Sequence, residues 1–226
     1  MYDGAAIPSP KLYAAAERPR HPALDFYRET FTCDRYFESP GVVRRALAAY
    51  YGLVSFVDDN IRQVVAALER TSLLDTTDII YTSDHGDDLG SRGLWGKSTM
   101  YEEAVGVPPL LSGRGYPGRG RRDDLVSHID LMPFIAEHFG LDDSETGQPE
   151  MIRRRSFGRA DFAETTRDRP VLDEYHATGS RSATFMLRQG ARKLIYHVGG
   201  PLQYFDLADD PEELVDHATD APGESP

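Results

Sequence analysis

The spacing of apolar and polar positions divides the chain into stretches of different period. Val43, Leu47, Tyr50, Val54, Val57, Ile61, Val64 and Leu68 recur three and four residues apart, the period of one helix face. Arg44, Arg45, Asp58, Asp59, Arg62 and Glu69 fall largely on the other face. Ser39 can accept at the N-cap and Pro40 suits the first helical position, so the pattern predicts a long amphipathic helix laid on a sheet. Residues 71–77 then lead into Ile79-Ile80-Tyr81. This short apolar run has polar borders, and it predicts a strand covered on both faces in a helix-to-strand step typical of a parallel sheet. A second buried strand is expected at 105–111, kept short or at an edge by Pro108 and Pro109. Leu131, Ile135 and Phe139 predict a helix capped by Asp130 and stopped by Gly140. From Pro170 the period changes, and 171–175, 184–188, 192–198 and 202–207 read as short strands with Gln189-Gly190 and Gly199-Gly200 as turns. A helix started by Asp210-Pro211-Glu212-Glu213 is expected to follow this antiparallel meander.

Two stretches lack a clear period. Residues 1–40 carry Pro8, Pro10, Pro19, Pro22 and Pro40 and read as an irregular covering segment. Residues 141–169 are polar and charged, with Gly147, Pro149 and Arg153-Arg154-Arg155, and read as a connection. The expected class is α/β: residues 1–150 form most of a helix-flanked sheet domain, and 151–226 form a small α+β subdomain.

Charge narrows the function classes. Twenty-five basic against 37 acidic residues give a formal charge of −12, which argues against a nucleic-acid-binding surface and suits cations or a small ligand. Cys33 is the one cysteine, so an intrachain disulfide framework and a Cys-rich zinc site are excluded. The N-terminus shows neither a basic nor an apolar leader region, and no run approaches a membrane span. The expectation is a cytoplasmic protein with no membrane partner; a homo-oligomer is compatible with these features.

Candidate chemistry concentrates after the Ile79–Tyr81 strand. Ser83-Asp84-His85-Gly86-Asp87-Asp88 places an oxygen ligand, a nitrogen ligand and a glycine in succession, where ligands sit beyond strand ends in α/β folds. A carboxylate and an imidazole suit Ca²⁺, Mg²⁺, Mn²⁺ or Zn²⁺ without choosing among them. The same residues also make an ordinary solvated turn. Gly90, Gly93 and Gly96 surround Trp95 in a loop ending at Lys97. Thr99 with Glu102 fits a capping box, which would put Lys97 at a helix entrance, where its charge and the dipole favour an anion. His21, His128, His138 and Cys33 lack partner spacing and read as structural. The basic loop 114–122 reads as a solvated excursion.

Several stretches taken in order resemble the C-terminal portion of a sulfatase, of the alkaline-phosphatase-like superfamily and the choline-sulfatase or arylsulfatase type. They are Ala49-Tyr50-Tyr51-Gly52 through Val57-Asp58-Asp59-Asn60, Tyr81-Thr82-Ser83-Asp84-His85-Gly86-Asp87, Leu94-Trp95-Gly96-Lys97 and Val107-Pro108. Ser127-His128-Ile129-Asp130, Asp173-Glu174-Tyr175 and Tyr204-Phe205-Asp206-Leu207 with Asp210-Pro211 are weaker echoes. The resemblance implies a partial alkaline-phosphatase-like sheet flanked by helices, with a small C-terminal antiparallel sheet plus helix. It also implies that Asp84 and His85 are ligands of one divalent cation, Ca²⁺ first with Mn²⁺ or Mg²⁺ as alternatives, and that Lys97 is a catalytic contact to a small-molecule sulfate ester. The family's Cys-x-Pro-Ser-Arg nucleophile motif and early Asp pair are missing, Cys33 is followed by Asp34 and Arg35, and Gly106 stands where a basic residue is common. The implied activity is therefore sulfuric-ester hydrolysis by a chain that is incomplete by itself and begins inside its catalytic domain. A phosphodiesterase or phosphonate monoester hydrolase of the same superfamily, or a non-catalytic binding remnant, are the alternatives.

Overall fold

The computed structural model describes residues 2–114, 120–141 and 169–218. The chain groups into two units, one of Met1–Arg119, Tyr175–Ala183 and Gly199–Pro201, the other of Gly120–Glu174, Thr184–Val198 and Leu202–Pro226. The border expected at 150, the Arg153-Arg154-Arg155 run and most of the 141–169 connection lie outside the described residues, as do 115–119 of the basic loop.

In the first unit the opening residues are more ordered than their prolines suggested. A helix, α1 (Pro22–Thr30), starts with Pro22 at its first position and His21 as cap, the ring Nδ1 accepting from Ala23 N at 3.2 Å. Pro22 works here as a helix starter, because the first helical N–H needs no partner. Leu24 and Tyr27, three residues apart, are buried, and the His21 Nε2 lies 3.1 Å from the Pro201 carbonyl.

The long helix α2 spans Pro40–Arg70, with Ser39 accepting from Val42 N. Its first apolar positions, Val43 and Leu47, are buried, whereas Leu53, Val54, Val57 and Val64 are exposed. Tyr50, Ile61 and Leu68 are half-buried, so the expected cover of the apolar face is complete at the N-terminal end and broken at 53–57 and at Val64. Strand β1 (Ile79–Tyr81) pairs with β2 (Leu110–Ser112) in antiparallel register, Ile79 opposite Ser112 and Tyr81 opposite Leu110. The expected parallel step therefore does not hold for this pair, since period alone cannot tell which direction a partner strand runs. Nor is β1 fully covered, for Ile80 is 37% exposed.

Between the two strands, the helical turn α3 (Glu102–Val105) replaces the first part of the strand expected at 105–111. Pro108 and Pro109, which have no N–H to give a ladder, delay β2 to Leu110. No side chain caps α3. The Thr99 hydroxyl, expected in a capping box, instead donates to Asp88 Oδ1 at 2.9 Å, so Lys97 does not stand at a helix entrance.

The second unit holds α4 (Leu131–His138), entered through a tight turn at His128–Asp130. Asp130 contributes from inside that turn, its carboxylate accepting from Ser127 N at 2.8 Å and from Arg169 Nη1 at 2.7 Å. Phe139 and Gly140, with φ +66°, end the helix.

Strands β3 (Val171–Tyr175), β4 (Thr184–Gln189), β5 (Arg192–His197) and β6 (Leu202–Asp206) are neighbours in that order, with the last three antiparallel. Met186, Ile195 and Phe205 line the buried face. Lys193 shares that face and meets Glu213 at 2.7 Å, both fully buried. The helix expected from Asp210 is a turn: Glu213 has φ +53° and the Asp210 carboxylate accepts from Val215 N. That geometry brings Glu213 back to Lys193 and prevents a helical ladder.

Candidate functional site

Strand β1 ends at Tyr81 and the chain turns at once, which frees Asp84 and His85 from the strand alternation that would point them apart. The Ser83 hydroxyl donates to the His85 carbonyl at 2.8 Å, and the Asp84 Oδ1 accepts from the His85 N–H at 3.0 Å. Gly86 N then donates to the Ala104 carbonyl at 2.7 Å. The backbones of Gly86 and Glu103 pass so closely that an added Cβ would collide with the Glu103 carbonyl oxygen.

The next eleven residues leave this anchor and return to it. Asp87 Oδ1 accepts from Leu89 N at 2.9 Å and from Gly96 N at 3.1 Å, and Asp88 N donates to the Gly96 carbonyl at 2.7 Å. Gly90, with φ +89°, turns the loop beneath Trp95, whose ring stacks on Phe37 with centroids 3.7 Å apart. Lys97 follows the clamped Gly96, and its Nζ lies 2.6 Å from His85 Nε2. Asp84 Oδ2 is 3.3 Å from the same nitrogen. The three candidate residues therefore converge on one point, although twelve positions separate His85 from Lys97.

Bonding assigns the imidazole tautomer. His85 Nδ1 sits 2.8 Å from the Gly86 carbonyl, which can only accept, so Nδ1 carries a proton and, in the neutral ring, Nε2 keeps its lone pair for Lys97 or a cation. For Asp84, desolvation acts upward, but the His85 N–H, the His85 ring and the Lys97 ammonium outweigh it and hold the carboxylate below its usual range. The Asp84 side chain is 82% exposed. An ionised oxygen and a lone-pair nitrogen on adjacent, accessible residues fit two positions of a divalent cation's shell. Among the described residues, no group of three or more His, Cys, Asp or Glu side chains is arranged to hold a metal. The structure thus offers part of a coordination sphere.

Behind the exposed trio lies a buried ionic cluster that the sequence reading missed. Arg92 is fully buried, has φ +58°, covers the Tyr101 ring at 3.8 Å and meets Glu103 Oε1 at 3.0 Å. Lys11 Nζ reaches the same oxygen at 3.1 Å. Burial pushes Glu103 upward, but Arg92 and Lys11 outweigh it and leave its pKa lowered. Asp88, read from sequence only as negative charge, is fully buried, and its Oδ2 has no hydrogen-bond partner among the described residues. Burial raises its pKa to about 8, with the Thr99 hydroxyl pulling the other way. Nothing in the spacing of these residues announces the cluster, because Arg92 and Glu103 meet only through the loop. Cys33 lies outside this network, and burial with the adjacent Asp34 raises its thiol pKa, the reverse of an activated nucleophile.

Comparison with known proteins matches residues 8–141 to the sulfatase family model. This chain belongs to the sulfatase family. It is 35% identical over 181 residues to the choline-sulfatase of Rhizobium meliloti, covering 80% of this chain and 35% of that protein. Against arylsulfatase K of Rattus norvegicus it is 32% identical over 224 residues, covering 96% of this chain and 39% of the relative. Among solved structures, the phosphonate monoester hydrolase of Agrobacterium radiobacter superposes with a TM-score of 0.76 at 25% identity, covering 97% of this chain and 48% of that one. The corresponding enzyme of Silicibacter pomeroyi, at 24% identity and a TM-score of 0.74, shares the fold. This sulfatase-family chain spans 35% and 39% of the two named sulfatases and 48% of the solved hydrolase, and its described part has the alkaline-phosphatase-like fold.

Proposed function

We propose that Asp84, His85 and Lys97 form the cation-and-sulfate half of a site that hydrolyses small-molecule sulfuric esters. The carrying observation is the convergence of Lys97 Nζ, His85 Nε2 and Asp84 Oδ2 within 2.6 to 3.3 Å on an accessible surface. Asp84 and His85 would hold one divalent cation, Ca²⁺ by preference with Mn²⁺ or Mg²⁺ as alternatives. That cation would supply Lewis-acid stabilisation of charge on the sulfate oxygens.

The protein's own groups do the rest of this half of the work. The Gly86 carbonyl holds the His85 tautomer that leaves Nε2 able to bind. Asp87 and Asp88 clamp Gly96 and so fix Lys97, whose ammonium hydrogen-bonds the ester's leaving oxygen. A donor fixed beforehand stabilises developing charge without reorganising during the reaction. The sequence contains no Cys-x-Pro-Ser-Arg or Ser-x-Pro-Ser-Arg stretch, so this chain alone is expected not to turn over.

Calorimetric titration of the chain with CaCl₂ and MnCl₂ tests the assignment. Binding of one cation, weakened at least about tenfold by Asp84→Ala or His85→Ala, is the expected result, in line with the loss of a ligand. Unchanged affinity in both variants would remove the cation site. A second reading, phosphonate monoester hydrolysis, is favoured by the superposition on the Agrobacterium radiobacter enzyme. Fused to the remainder of a sulfatase chain, the protein should cleave an aryl sulfate; cleavage of an aryl phosphonate alone would favour the second reading.

A further inference from the structure

The loop that carries Lys97 is held from two sides. On one side Gly96 bonds to Asp87 and Asp88, and the Thr99 hydroxyl reaches back to Asp88. Ser98 turns the other way. Its hydroxyl donates at 2.8 Å to the Tyr175 oxygen, 77 positions later in the chain and in the same first unit. The Tyr175 O–H in turn donates at 2.7 Å to the Thr178 carbonyl. A carbonyl can only accept, so the direction of both bonds is fixed and the one Tyr175 proton is already committed.

The far end of this relay is anchored as well. Gly179, next to Thr178, is buried with φ +88°, and an added Cβ there would collide with the Phe31 ring. Phe31 tilts against Tyr27 with ring centroids 4.9 Å apart, and the Tyr27 hydroxyl donates to the Trp95 carbonyl. Burial raises the Tyr27 pKa, with Asp88, Cys33, Asp87 and Tyr175 adding to it, so this hydroxyl stays a donor. From Trp95 through Tyr27, Phe31 and Gly179 to Tyr175 and Ser98 the contacts run round a circuit, and Lys97 sits on the short arm between its two ends.

We propose that Tyr175 is a positioning residue for Lys97, fixing through the Ser98 hydroxyl the backbone from which the ammonium is aimed toward His85. The inference deepens the proposed function and rests on the reading of Lys97 as the group that meets the ester. A lysine has a flexible four-carbon stem, so its aim depends on where its backbone is held. Gly90, Gly93 and Gly96 make the loop before it soft, and a bond on each side of Lys97 removes that freedom. The consequence for chemistry is large, because a misplacement of about 1 Å at a reacting group costs on the order of 100-fold in rate. Tyr175 works through Ser98 and not on the ester, since its own proton is held by Thr178.

The chain has three lysines, Lys11, Lys97 and Lys193, so labelling the 226-residue protein with ¹³Cε-lysine gives one signal for each, and ¹³C relaxation reads the order of each side chain separately. Lys11 is paired with Glu103 and Lys193 with Glu213, which makes them internal references for general loosening. Tyr175→Phe keeps the ring and removes the hydroxyl. In that variant the Lys97 order parameter should fall at least about twofold, toward that of a solvated side chain, while Lys11 and Lys193 keep theirs. Ser98→Ala should reproduce the fall, and Ser98→Thr, which retains a hydroxyl, should keep the native value. Neither a cation nor an ester is present, so a failed cation titration leaves this result readable, and an unchanged Lys97 leaves the cation ligands untouched. The proposal is overturned if Lys97 keeps its order in Tyr175→Phe, if all three lysines loosen together, if Ser98→Thr loosens Lys97 as much as Ser98→Ala does, or if Lys97 is already as disordered as a solvated lysine in the native protein.

Discussion

Replacing Asp88 with asparagine isolates the energetics of the buried cluster beside the candidate site. Asp88 is fully buried, with one oxygen on Thr99 and the other without a partner among the described residues. Burial raises its pKa from 3.8 to about 8. In the unfolded chain the carboxyl ionises near its ordinary value, so between pH 4 and pH 8 the folded state holds a proton that the unfolded state has released. Stability must therefore fall as pH rises across that window, at up to about 1.4 kcal/mol per pH unit, and level off above about 8. The full difference is on the order of 5 kcal/mol, an upper figure because the site can relax or admit water.

Asparagine keeps the shape and the acceptor for Thr99 but never ionises. Near pH 4 the two proteins should agree within about 1 kcal/mol, because the protonated acid leaves its own O–H as poorly placed as the amide. At pH 8 the Asp88→Asn protein should be more stable by about 3 to 5 kcal/mol. Urea unfolding of both proteins at pH 4.5, 6 and 8 measures the difference, in which titrating groups that do not interact with Asp88 cancel. A difference independent of pH, or one that favours aspartate at pH 8, would refute burial as the controlling term.

Glu103→Gln should act in the opposite direction. The folded carboxylate lies below its unfolded value, so it contributes stability above pH 4.5 that is lost as pH falls through the folded pKa. The substitution leaves Arg92 buried without an anionic partner at Glu103, and about 3 kcal/mol should be lost at pH 7, a loss that shrinks as pH falls through the folded pKa, read by the same unfolding series. Lys193→Met strands the fully buried Glu213 and should cost about 3 to 5 kcal/mol in thermal unfolding, most of it regained in Lys193→Met with Glu213→Leu. Gly86→Ala forces a Cβ against the Glu103 carbonyl and should lower stability by more than about 2 kcal/mol while weakening cation binding, because the turn that presents His85 must shift.

How much of this was legible depended on the range of the interactions. Helix α2 followed from a local three-and-four repeat with Ser39 and Pro40 at its start, and the β4–β6 meander from a period of two broken by Gly190 and Gly199. Helix α1 was missed because proline serves both as breaker and as first residue, and only the His21 cap separates the two uses. Thr99 fitted a capping box equally well, but the buried Asp88 carboxylate took its hydroxyl instead.

The sequence by itself determined the positions of Asp84, His85 and Lys97, the strand that ends before them and the apolar stripe of α2, since each is written in neighbouring residues. It also carried, through the order of its motifs, the resemblance that the family match now shows. Tertiary structure decided that Lys97 closes onto His85, that Arg92 and Glu103 pair beneath the loop, that β1 and β2 run antiparallel and that Val54, Val57 and Val64 of the α2 stripe stay exposed. Those outcomes depend on where the backbone returns in space, and a contact between residues eleven or more positions apart across a glycine-rich loop leaves no periodic trace.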